Sequence, residues 1–332
     1  MNDDAKVKIY KLMNLVGGRT KKVAEYKKQM REYIEGDKFR EAVAPLVEIL
    51  KMDITQYKKN RLEKIDKKVN KRLYLAHYTS VETIFSILRE REETDGREET
   101  DGLRLYDAFY LNDPEEGNHL RDVFEKEYKW LKNAEGTDAF ICSFVGLEEG
   151  CEDSLMYWQS YGKSGLGCSI LLSKYFSTAG TLYPVSYGTK GANVAKRKFR
   201  NYLELGNNLI DRCTEAEQKD FAIEFWKAFD EIKFMYKDAA YEYESEYRMI
   251  KIPVTDGEVK YDLKSEGPYL RKYIVDDRLD ASKILTSGSK VTIGPAVRKA
   301  NHLSKNLKKL ANKRGIIGPC FTSSEISYQK FW

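Results

Sequence analysis

The stretch FAIEFWKAFDEIKFMYKDAAYEYESEYRMIKIPV, residues 221–254, follows two hydrophobic periods in succession. Five apolar residues of its first part recur at spacings of four, four, three and four: Phe221, Phe225, Phe229, Ile232 and Tyr236. This period predicts a helix with one buried face. From Tyr241 onward, tyrosines and glutamates alternate and then run into the apolar segment Met249 to Val254, which predicts a strand.

Outward from this stretch, strands and helices follow one another without a repeating strand–helix–strand period. Short apolar or aromatic segments predict strands at 73–78, 103–105, 139–145, 165–172, 183–187 and 291–294. Helical spacing covers most of 5–70 and 190–240, and a basic helix is predicted over 298–314. This order favours an α+β fold in which helices surround a largely antiparallel or split β core.

Composition limits the class of protein. Of the 332 residues, 42% are hydrophobic and 33% are charged, which is apolar enough for a packed core. No run of about 18 apolar residues is present, and the first residues include no apolar segment of the secretory kind. We therefore expect a protein without membrane contact that acts in the cytoplasm, either of the producing cell or, for a secreted effector, of a target cell. The five cysteines form no C-x-x-C pair and there are three histidines, so we expect neither a disulfide framework nor a bound metal.

Composition changes at Leu73, which divides the chain into an N-terminal helical module, residues 1–72, and a second domain, residues 73–332. Residues 1–72 carry 20 Lys and Arg against 11 Asp and Glu, and residues 283–332 carry 10 against 1, whereas residues 73–282 carry 27 against 40. Two basic ends therefore flank an acidic centre. Such ends fit nucleic acid or an acidic partner. The alternative, favoured by the lack of an arginine-rich run, is that lysines solubilise helix faces.

Two glutamates on the predicted strand are candidates for chemistry. Period two places Glu244 and Glu246, with Glu242 and Arg248, on one face. Neighbouring carboxylates perturb each other's protonation, which suits acid–base or charge-stabilising roles. The alternative is a solvated edge strand whose charges oppose edge-to-edge pairing, although the apolar run after Arg248 favours a sheet interior.

His77 ends the predicted strand 73–78, immediately before a helix that Thr79 is expected to cap together with Glu82. A side chain at a strand end before a helix N-terminus commonly faces a ligand. The alternative is a structural histidine whose hydrogen bonds are satisfied within the fold.

Two further segments combine polar or aromatic residues with turns. The segment 154–167 contains Trp158 and Tyr161 beside several glycines, which form either a stacking floor for a planar ring or a packed core. Its Gly165-x-Gly167 lacks the third glycine and the context of a dinucleotide-binding loop. Asn112-Asp113-Pro114 is a strong turn signal.

Four short segments of the chain, taken together and in order, resemble a known family. They are Leu75-Ala76-His77-Tyr78-Thr79-Ser80; Leu103-Arg104-Leu105 with Asn112-Asp113-Pro114-x-Glu116; Cys142-Ser143-Phe144 with Met156-Tyr157-Trp158-x-x-Tyr161-Gly162; and Tyr243-Glu244-x-Glu246-Tyr247-Arg248. In this order they resemble a bacterial family known as domain of unknown function 2971, over about residues 73–330. That family is in turn similar to the ADP-ribosyltransferase fold, through a histidine closing the first strand, a central aromatic residue and a glutamate on a late strand. A duplicated hexapeptide at 91–102 departs from the pattern and enlarges the loop after the first helix.

The resemblance implies an NAD-dependent mono-ADP-ribosyltransferase with an ADP-ribosyltransferase-like split sheet and NAD as co-substrate. Glu246, with Glu244 beside it, would stabilise the oxocarbenium-like state formed when nicotinamide leaves. His77 would hold the adenosine-side ribose or the dinucleotide, and either Tyr161 or Trp158 would stack on nicotinamide. The same segments supply further residues that would contact NAD: Tyr78, Thr79, Asn112, Ser143 and Arg248.

The implied acceptor of ADP-ribose is a protein or a nucleic acid, as for a toxin, an effector or a defence protein. The helices of residues 1–72 are a candidate surface for a partner protein. Two other interpretations stay open. The chain is either a catalytically inactive binding module of the same fold, or a hydrolase of nucleotides or nucleic acid that uses Asp113, Glu244 and Glu246 with a divalent metal.

Overall fold

The computed structural model describes residues 3–69, 73–88, 102–132, 137–173, 182–262 and 270–326. Apart from Gly102, the duplicated hexapeptide that is predicted to form a surface loop lies outside these residues. The chain divides into two compact units, and each is discontinuous in sequence. The helical unit consists of Met1–Arg61, Leu111–Ala139 and Val185–Glu242, and the sheet unit consists of Leu62–Tyr110, Phe140–Pro184 and Tyr243–Trp332. This division differs from the boundary predicted at residue 72.

Ten α-helices are formed by the described residues. They are α1 (Asp3–Leu15), α2 (Lys21–Glu35), α3 (Phe39–Val69), α4 (Val81–Leu88), α5 (Asn118–Glu125), α6 (Leu155–Ser160), α7 (Gly188–Ile210), α8 (Glu215–Lys233), α9 (Ala281–Ile284) and α10 (Ala300–Lys313). Several boundaries follow sequence signals. Gly17, with a φ of 71°, follows the end of α1, and the Thr20 side chain caps α2 by accepting a hydrogen bond from the backbone of Val23.

Twelve β-strands accompany the helices within the same described ranges. They are β1 (Leu73–Thr79), β2 (Gly102–Asp107), β3 (Phe140–Glu148), β4 (Cys168–Leu171), β5 (Leu182–Pro184), β6 (Ser186–Tyr187), β7 (Tyr236–Lys237), β8 (Glu246–Lys251), β9 (Lys260–Asp262), β10 (Arg271–Asp280), β11 (Lys290–Ile293) and β12 (Cys320–Ser323). The predicted mixture of helices with a mostly antiparallel sheet is confirmed.

The helical unit buries the apolar stripe that the sequence predicts on α8, including Phe221, Phe225 and Phe229. Aromatic rings interlock around this stripe. The Phe199 and Phe229 centroids lie 5.2 Å apart edge to face, and Trp130 stacks on Phe221 at 4.8 Å. Because these rings come from segments far apart in sequence, they join α7 and α8 to the turn after α5.

The N-terminal helices belong to this same core. The hydroxyls of Tyr57 on α3 and Tyr236 on β7 lie 2.6 Å apart, and Tyr202 of α7 donates a hydrogen bond to Asp53 at 2.7 Å. Each of these helices has fully buried apolar residues, such as Met13 of α1, Met30 of α2 and Leu46 of α3. Helices α1 to α3 are therefore part of the packing of the helical unit.

The sheet unit is built on one ten-stranded sheet in the order β12-β11-β4-β1-β3-β2-β10-β9, with β8 pairing both β3 and β5. The sheet branches at β3, which pairs with β1, β2 and β8. All recorded pairs in this sheet are antiparallel except β11 with β12. β3 is therefore the strand that brings the segments predicted to carry the site next to one another.

The two faces of this sheet carry different side chains. One, here called the core face, includes Leu75 and Phe144 and is packed by α4, α9 and α10 into the larger apolar core. The other, here called the α6 face, includes Ala76 and Val145 and packs against Trp158 of α6. Because successive residues of a strand point to opposite faces, the face of every strand residue follows from these assignments.

The prediction of one strand that includes Glu242, Glu244 and Glu246 is wrong. Residues Ala239–Glu244 form a 3₁₀-helix, Ser245 adopts a left-handed φ of 46°, and β8 begins only at Glu246. Glu242 and Glu244 therefore do not lie on a strand beside Glu246, whereas Arg248 does share its face. The alternation of tyrosine and glutamate does not reveal that Ser245 adopts a left-handed backbone. This one residue interrupts the period-two pattern.

The cap of α4 also differs from the prediction. β1 continues through Thr79, so the cap moves one residue along to Ser80, whose Oγ accepts a hydrogen bond from the backbone nitrogen of Thr83 at 3.1 Å. None of the described helices combines the length and the apolar character needed to cross a membrane.

Candidate active site

The strand register assembles one set of predicted residues on the α6 face. Val145 pairs with Ala76 on β1 and with Glu246 on β8, so these three side chains share a face. Ser143 pairs with Arg248 on the same face. Tyr78, two residues beyond Ala76, joins them, so segments from three distant parts of the sequence meet here.

Glu246 and Arg248 form a bidentate ion pair on this face of the sheet. Arg248 donates two hydrogen bonds, from Nε to Oε1 at 2.7 Å and from Nη2 to Oε2 at 2.8 Å. Both residues are buried, with Arg248 only 1% exposed. A bidentate guanidinium fixes the plane of a carboxylate and favours its ionised form. The i, i+2 spacing on β8 is what allows this geometry.

Glu244 is brought to the same cluster by a different route. It ends the 3₁₀-helix, is 4% exposed, and is separated from Glu246 only by left-handed Ser245. Both carboxylates act on Tyr161 after α6. Burial first, then Glu244 and more weakly Glu246, raise the pKa of the Tyr161 phenol well above its ordinary value. Tyr161, Glu244, Glu246 and Arg248 are here called the carboxylate cluster.

Three buried hydroxyl groups on this side of the sheet make no hydrogen bond of normal geometry with any described residue, although Tyr78 lies near Ser169 and Tyr161 near Glu244. They are the hydroxyls of Tyr78, Ser143 and Tyr161. Buried polar atoms are almost always paired in native proteins, and an unpaired one costs about 1–3 kcal/mol. Three such groups beside two carboxylates are what a site for a hydroxyl-rich or polar ligand would provide.

The structure separates the two aromatic candidates for stacking. Trp158 is fully buried, its Nε1 donates to Asp153 at 2.6 Å, and its ring meets Tyr78 edge to face at 5.0 Å. It is a core residue with a satisfied donor. Tyr161 is only partly buried and lies beside Glu244. Of the two, Tyr161 has the more exposed side chain.

His77 lies on the core face, opposite Glu246. Its neighbour Ala76 is on the α6 face, and its own ring packs 5.6 Å from Phe144. Nδ1 donates to the carbonyl oxygen of Ser143 at 2.9 Å, and burial lowers the pKa of the imidazole. His77 and Glu246 therefore lie on opposite sides of the sheet. Contact of both side chains with one ligand would require them to lie on the same side.

The remaining predicted residues are dispersed. Thr79 pairs with Cys168 and shares the core face with His77. Asn112 is exposed and belongs to the helical unit, where Asp113 folds the predicted turn by accepting a hydrogen bond from the backbone of Glu115 at 3.0 Å. Neither residue is grouped with the carboxylate cluster.

The glycines at 165 and 167 serve backbone packing. A Cβ on Gly167 would lie 2.2 Å from the carbonyl oxygen of Thr79, and one on Gly294 would lie 2.2 Å from that of Gly165. Only glycine permits such close approach of two chain segments. This packing at Gly167, together with the left-handed φ of 81° at Gly165, accounts for the Gly-x-Gly pattern without a phosphate loop.

Sequence reasoning missed Tyr183, which lies beside the cluster, and an ion pair on β10 that interacts with Tyr183. Tyr183 on β5 pairs with Arg248 and shares its face. It also acts electrostatically on Arg278 of β10, whose own carboxylate partner, Asp276, accepts two hydrogen bonds at 2.6 and 2.5 Å. The sequence contains a signal for the ion pair on β10, because Asp276-x-Arg278 repeats the carboxylate-x-arginine spacing of Glu246-x-Arg248.

No group of three or more His, Cys, Asp or Glu side chains that could hold a metal ion occurs within the described ranges. The chain was also compared with known proteins. Protein-family models, curated proteins and solved structures were each searched, and none of the three comparisons found a match.

Proposed function

We propose that the sheet unit is an NAD-dependent ADP-ribosyltransferase that acts through the carboxylate cluster. The observation that carries the proposal is the meeting of buried Glu244 and Glu246 with three hydroxyls that make no hydrogen bond of normal geometry on one sheet face. Hydroxyls and carboxylates together suit a ribose, since both hydrogen-bond to sugar hydroxyls. A protein or a nucleic acid would accept the ADP-ribose.

The chemistry needs a fixed negative charge beside the sugar. The bond between ribose C1′ and the nicotinamide nitrogen breaks, and its electron pair leaves with nicotinamide. Positive charge then develops on the ribose ring, as in glycoside cleavage. The Glu246 carboxylate, held in one plane by Arg248, would stabilise that charge. A nucleophilic atom of the acceptor then bonds to C1′ and gives up its proton, and we assign Glu244 as the base that receives it.

Other residues would bind and orient the dinucleotide. Tyr161 would stack on nicotinamide, and the hydroxyls of Tyr78 and Ser143 would donate to or accept from ribose oxygens. His77 would act only through the backbone, because its hydrogen bond to the carbonyl of Ser143 fixes β3 from the opposite face. It is therefore a positioning residue in this proposal.

The test is release of nicotinamide from NAD by the purified full chain, with Glu246→Gln beside the wild type. We expect kcat of the variant to fall by roughly 10²- to 10³-fold, because a neutral amide no longer stabilises the ribosyl cation. Glu242→Gln is the matched control, since this exposed glutamate lies four residues away, outside the cluster, and should keep full activity. Normal release by Glu246→Gln, or none by the wild type, would overturn the proposal.

A second variant guards against loss of the fold, because removing one partner of a buried ion pair can itself destabilise a protein. Tyr161→Phe keeps the ring and removes only the hydroxyl beside Glu244, which makes no hydrogen bond of normal geometry. We expect the free energy of unfolding in urea to be no lower than that of the wild type, because a buried hydroxyl without a hydrogen bond does not stabilise the fold. We expect KM for NAD to rise about 2- to 12-fold because the hydrogen bond to NAD is lost. Labelled NAD added to cell lysate in parallel would mark the acceptor.

One observation favours a second candidate, an NAD-binding module without turnover. Arg248 occupies both oxygens of Glu246, and His77 lies on the opposite face, so the cluster departs from the arrangement that the resemblance implies. Calorimetry separates the two. Binding of NAD that Tyr161→Phe weakens, without any release of nicotinamide, would support the binding module.

A further inference from the structure

Helix α10 presents an exposed face without any acidic residue. Its eight exposed positions are occupied by four lysines, three asparagines and a histidine. The lysines are Lys305, Lys308, Lys309 and Lys313, here called the α10 lysines. The opposite side of the helix carries the apolar residues, and Leu307 and Ala311 are buried in the core.

The α10 lysines have no anionic partner within the described part of the chain: no ion pair or hydrogen bond of their ammonium groups is recorded there. Some basic residues elsewhere are paired with a neighbouring carboxylate. On α7, for example, Lys196 pairs with Glu127 at 2.8 Å, and Arg200 pairs with Glu204 at 3.7 Å. Residues 283–332 carry one acidic residue against ten basic ones, so the segment that contains α10 has a strong excess of positive charge.

The spacing of the lysines is that of a linear charge array. Lys305 and Lys313 are eight residues apart, which is about 12 Å along a helix axis. Over about 12 Å a DNA duplex carries roughly seven phosphate charges. An α-helix also fits the major groove of B-form DNA, whereas the major groove of an RNA duplex is too deep and narrow to admit one.

Two other polyanions fit less well. Binding of a helix to an anionic membrane uses an apolar face inserted among the lipids, and the apolar face of α10 is already buried by the sheet. Single-stranded nucleic acid is bound by stacking of its bases on aromatic rings, and the exposed α10 face has no Phe, Tyr or Trp.

We infer that the exposed face of α10 binds the phosphate backbone of duplex DNA through the α10 lysines, with little dependence on base sequence. This surface lies over the core face, on the other side of the sheet from the carboxylate cluster. The inference does not depend on the proposed transferase activity, because it concerns binding at a separate surface.

The test is fluorescence anisotropy of a labelled DNA duplex titrated with the full chain between 50 and 200 mM salt. Four phosphate contacts predict a slope of about −3.6 in log K against log salt, and so a loss of about 150-fold over this range. Replacing all four α10 lysines by Gln should remove this part of the salt dependence and most of the binding, on two unrelated sequences alike.

The matched control is the quadruple variant Lys8→Gln, Lys11→Gln, Lys21→Gln and Lys59→Gln, which changes the net charge equally at exposed positions of the helical unit. It should bind DNA like the wild type. Equal weakening by both quadruple variants would overturn the inference, since binding would then follow overall charge. Absence of DNA binding at 50 mM salt, or tighter binding to anionic vesicles or polyaspartate than to DNA, would overturn it as well.

Discussion

A neutral imidazole is built into the core face of the sheet at His77. Burial lowers its pKa, and the hydrogen bond from Nδ1 to the Ser143 carbonyl opposes that shift only in part. Because Nδ1 donates, Nε2 carries the lone pair of the neutral ring. Protonation would place a positive charge beside Phe144 and the Cys142 thiol, which provide no compensating negative charge.

This residue therefore predicts how stability changes with pH. The unfolded chain binds a proton at His77 near pH 6.5, and the folded chain does so only at lower pH. The free energy of unfolding should thus fall as pH drops below about 6.5, by up to about 1.4 kcal/mol per pH unit for this one group. In His77→Asn, whose amide can still donate to Ser143, that part of the pH dependence should be absent. Urea unfolding at pH 8, 7, 6 and 5 measures the free energy of unfolding of both proteins. An equal loss of stability with falling pH in the wild type and in His77→Asn would contradict the prediction.

At the residue scale, the sequence predicts some neighbours and not others. That Glu246 and Arg248 share a face follows from their spacing on one strand. That His77 lies on the opposite face does not follow, because its side is set by the pairing of β1 with β3 and of β3 with β8. These registers join residues about 70 and 100 positions apart, and no local pattern encodes them.

The junction between the 3₁₀-helix and β8 is the element that shapes the carboxylate cluster. Ser245 provides the turn with a φ of 46°, and its carbonyl oxygen accepts a hydrogen bond from Gly146 at 2.8 Å. Left-handed backbone costs a non-glycine residue about 1–2 kcal/mol. Such strain is often found where a functional arrangement requires it.

Relief of this strain is testable. Ser245→Gly should raise the free energy of unfolding by roughly 1 kcal/mol, because glycine adopts a positive φ without penalty. Ser245→Val should lower it, since a β-branched residue tolerates this region least. Both are measured by urea unfolding. A loss of stability in Ser245→Gly as large as in Ser245→Val would show that the φ of this residue is not strained.

Elements with strong periodicity were predictable, and the connections between them were less so. The stripe from Phe221 to Tyr236 is buried as its spacing indicates. The α4 cap was predicted one residue early, because Thr79 and Ser80 are both good capping residues and only the extent of β1 decides between them. Boundaries thus depend on tertiary pairing where local signals are equivalent.

On the scale of the whole chain, the helical unit is assembled from three separate segments. The composition change at Leu73 marks the start of β1, but nothing in composition marks the return of the chain to this unit at Leu111 and at Val185. The N-terminal helices contribute to its core through contacts such as those between Tyr57 and Tyr236.

Removing residues 1–72 should therefore also unfold the remaining segments of the helical unit. In a fragment 73–332, α7 and α8 lose the apolar faces of α1 to α3, so we expect the fragment to have less helix per residue than the full chain and no cooperative unfolding of that region. Circular dichroism and hydrogen exchange measure this. Co-expression of residues 1–72 as a separate chain should restore protection in α7 and α8. A fragment with fully protected α7 and α8 would contradict the prediction.

The three-segment construction also has a consequence during translation. Helices α1 to α3 leave the ribosome before the other two segments of the helical unit, and the last residues of that unit, up to Glu242, are about 180 residues behind. At 5–20 residues per second this interval lasts about 10–35 s. For that time part of their apolar surface lacks its native partners, so nascent chains of this protein should depend on a holding chaperone early in synthesis.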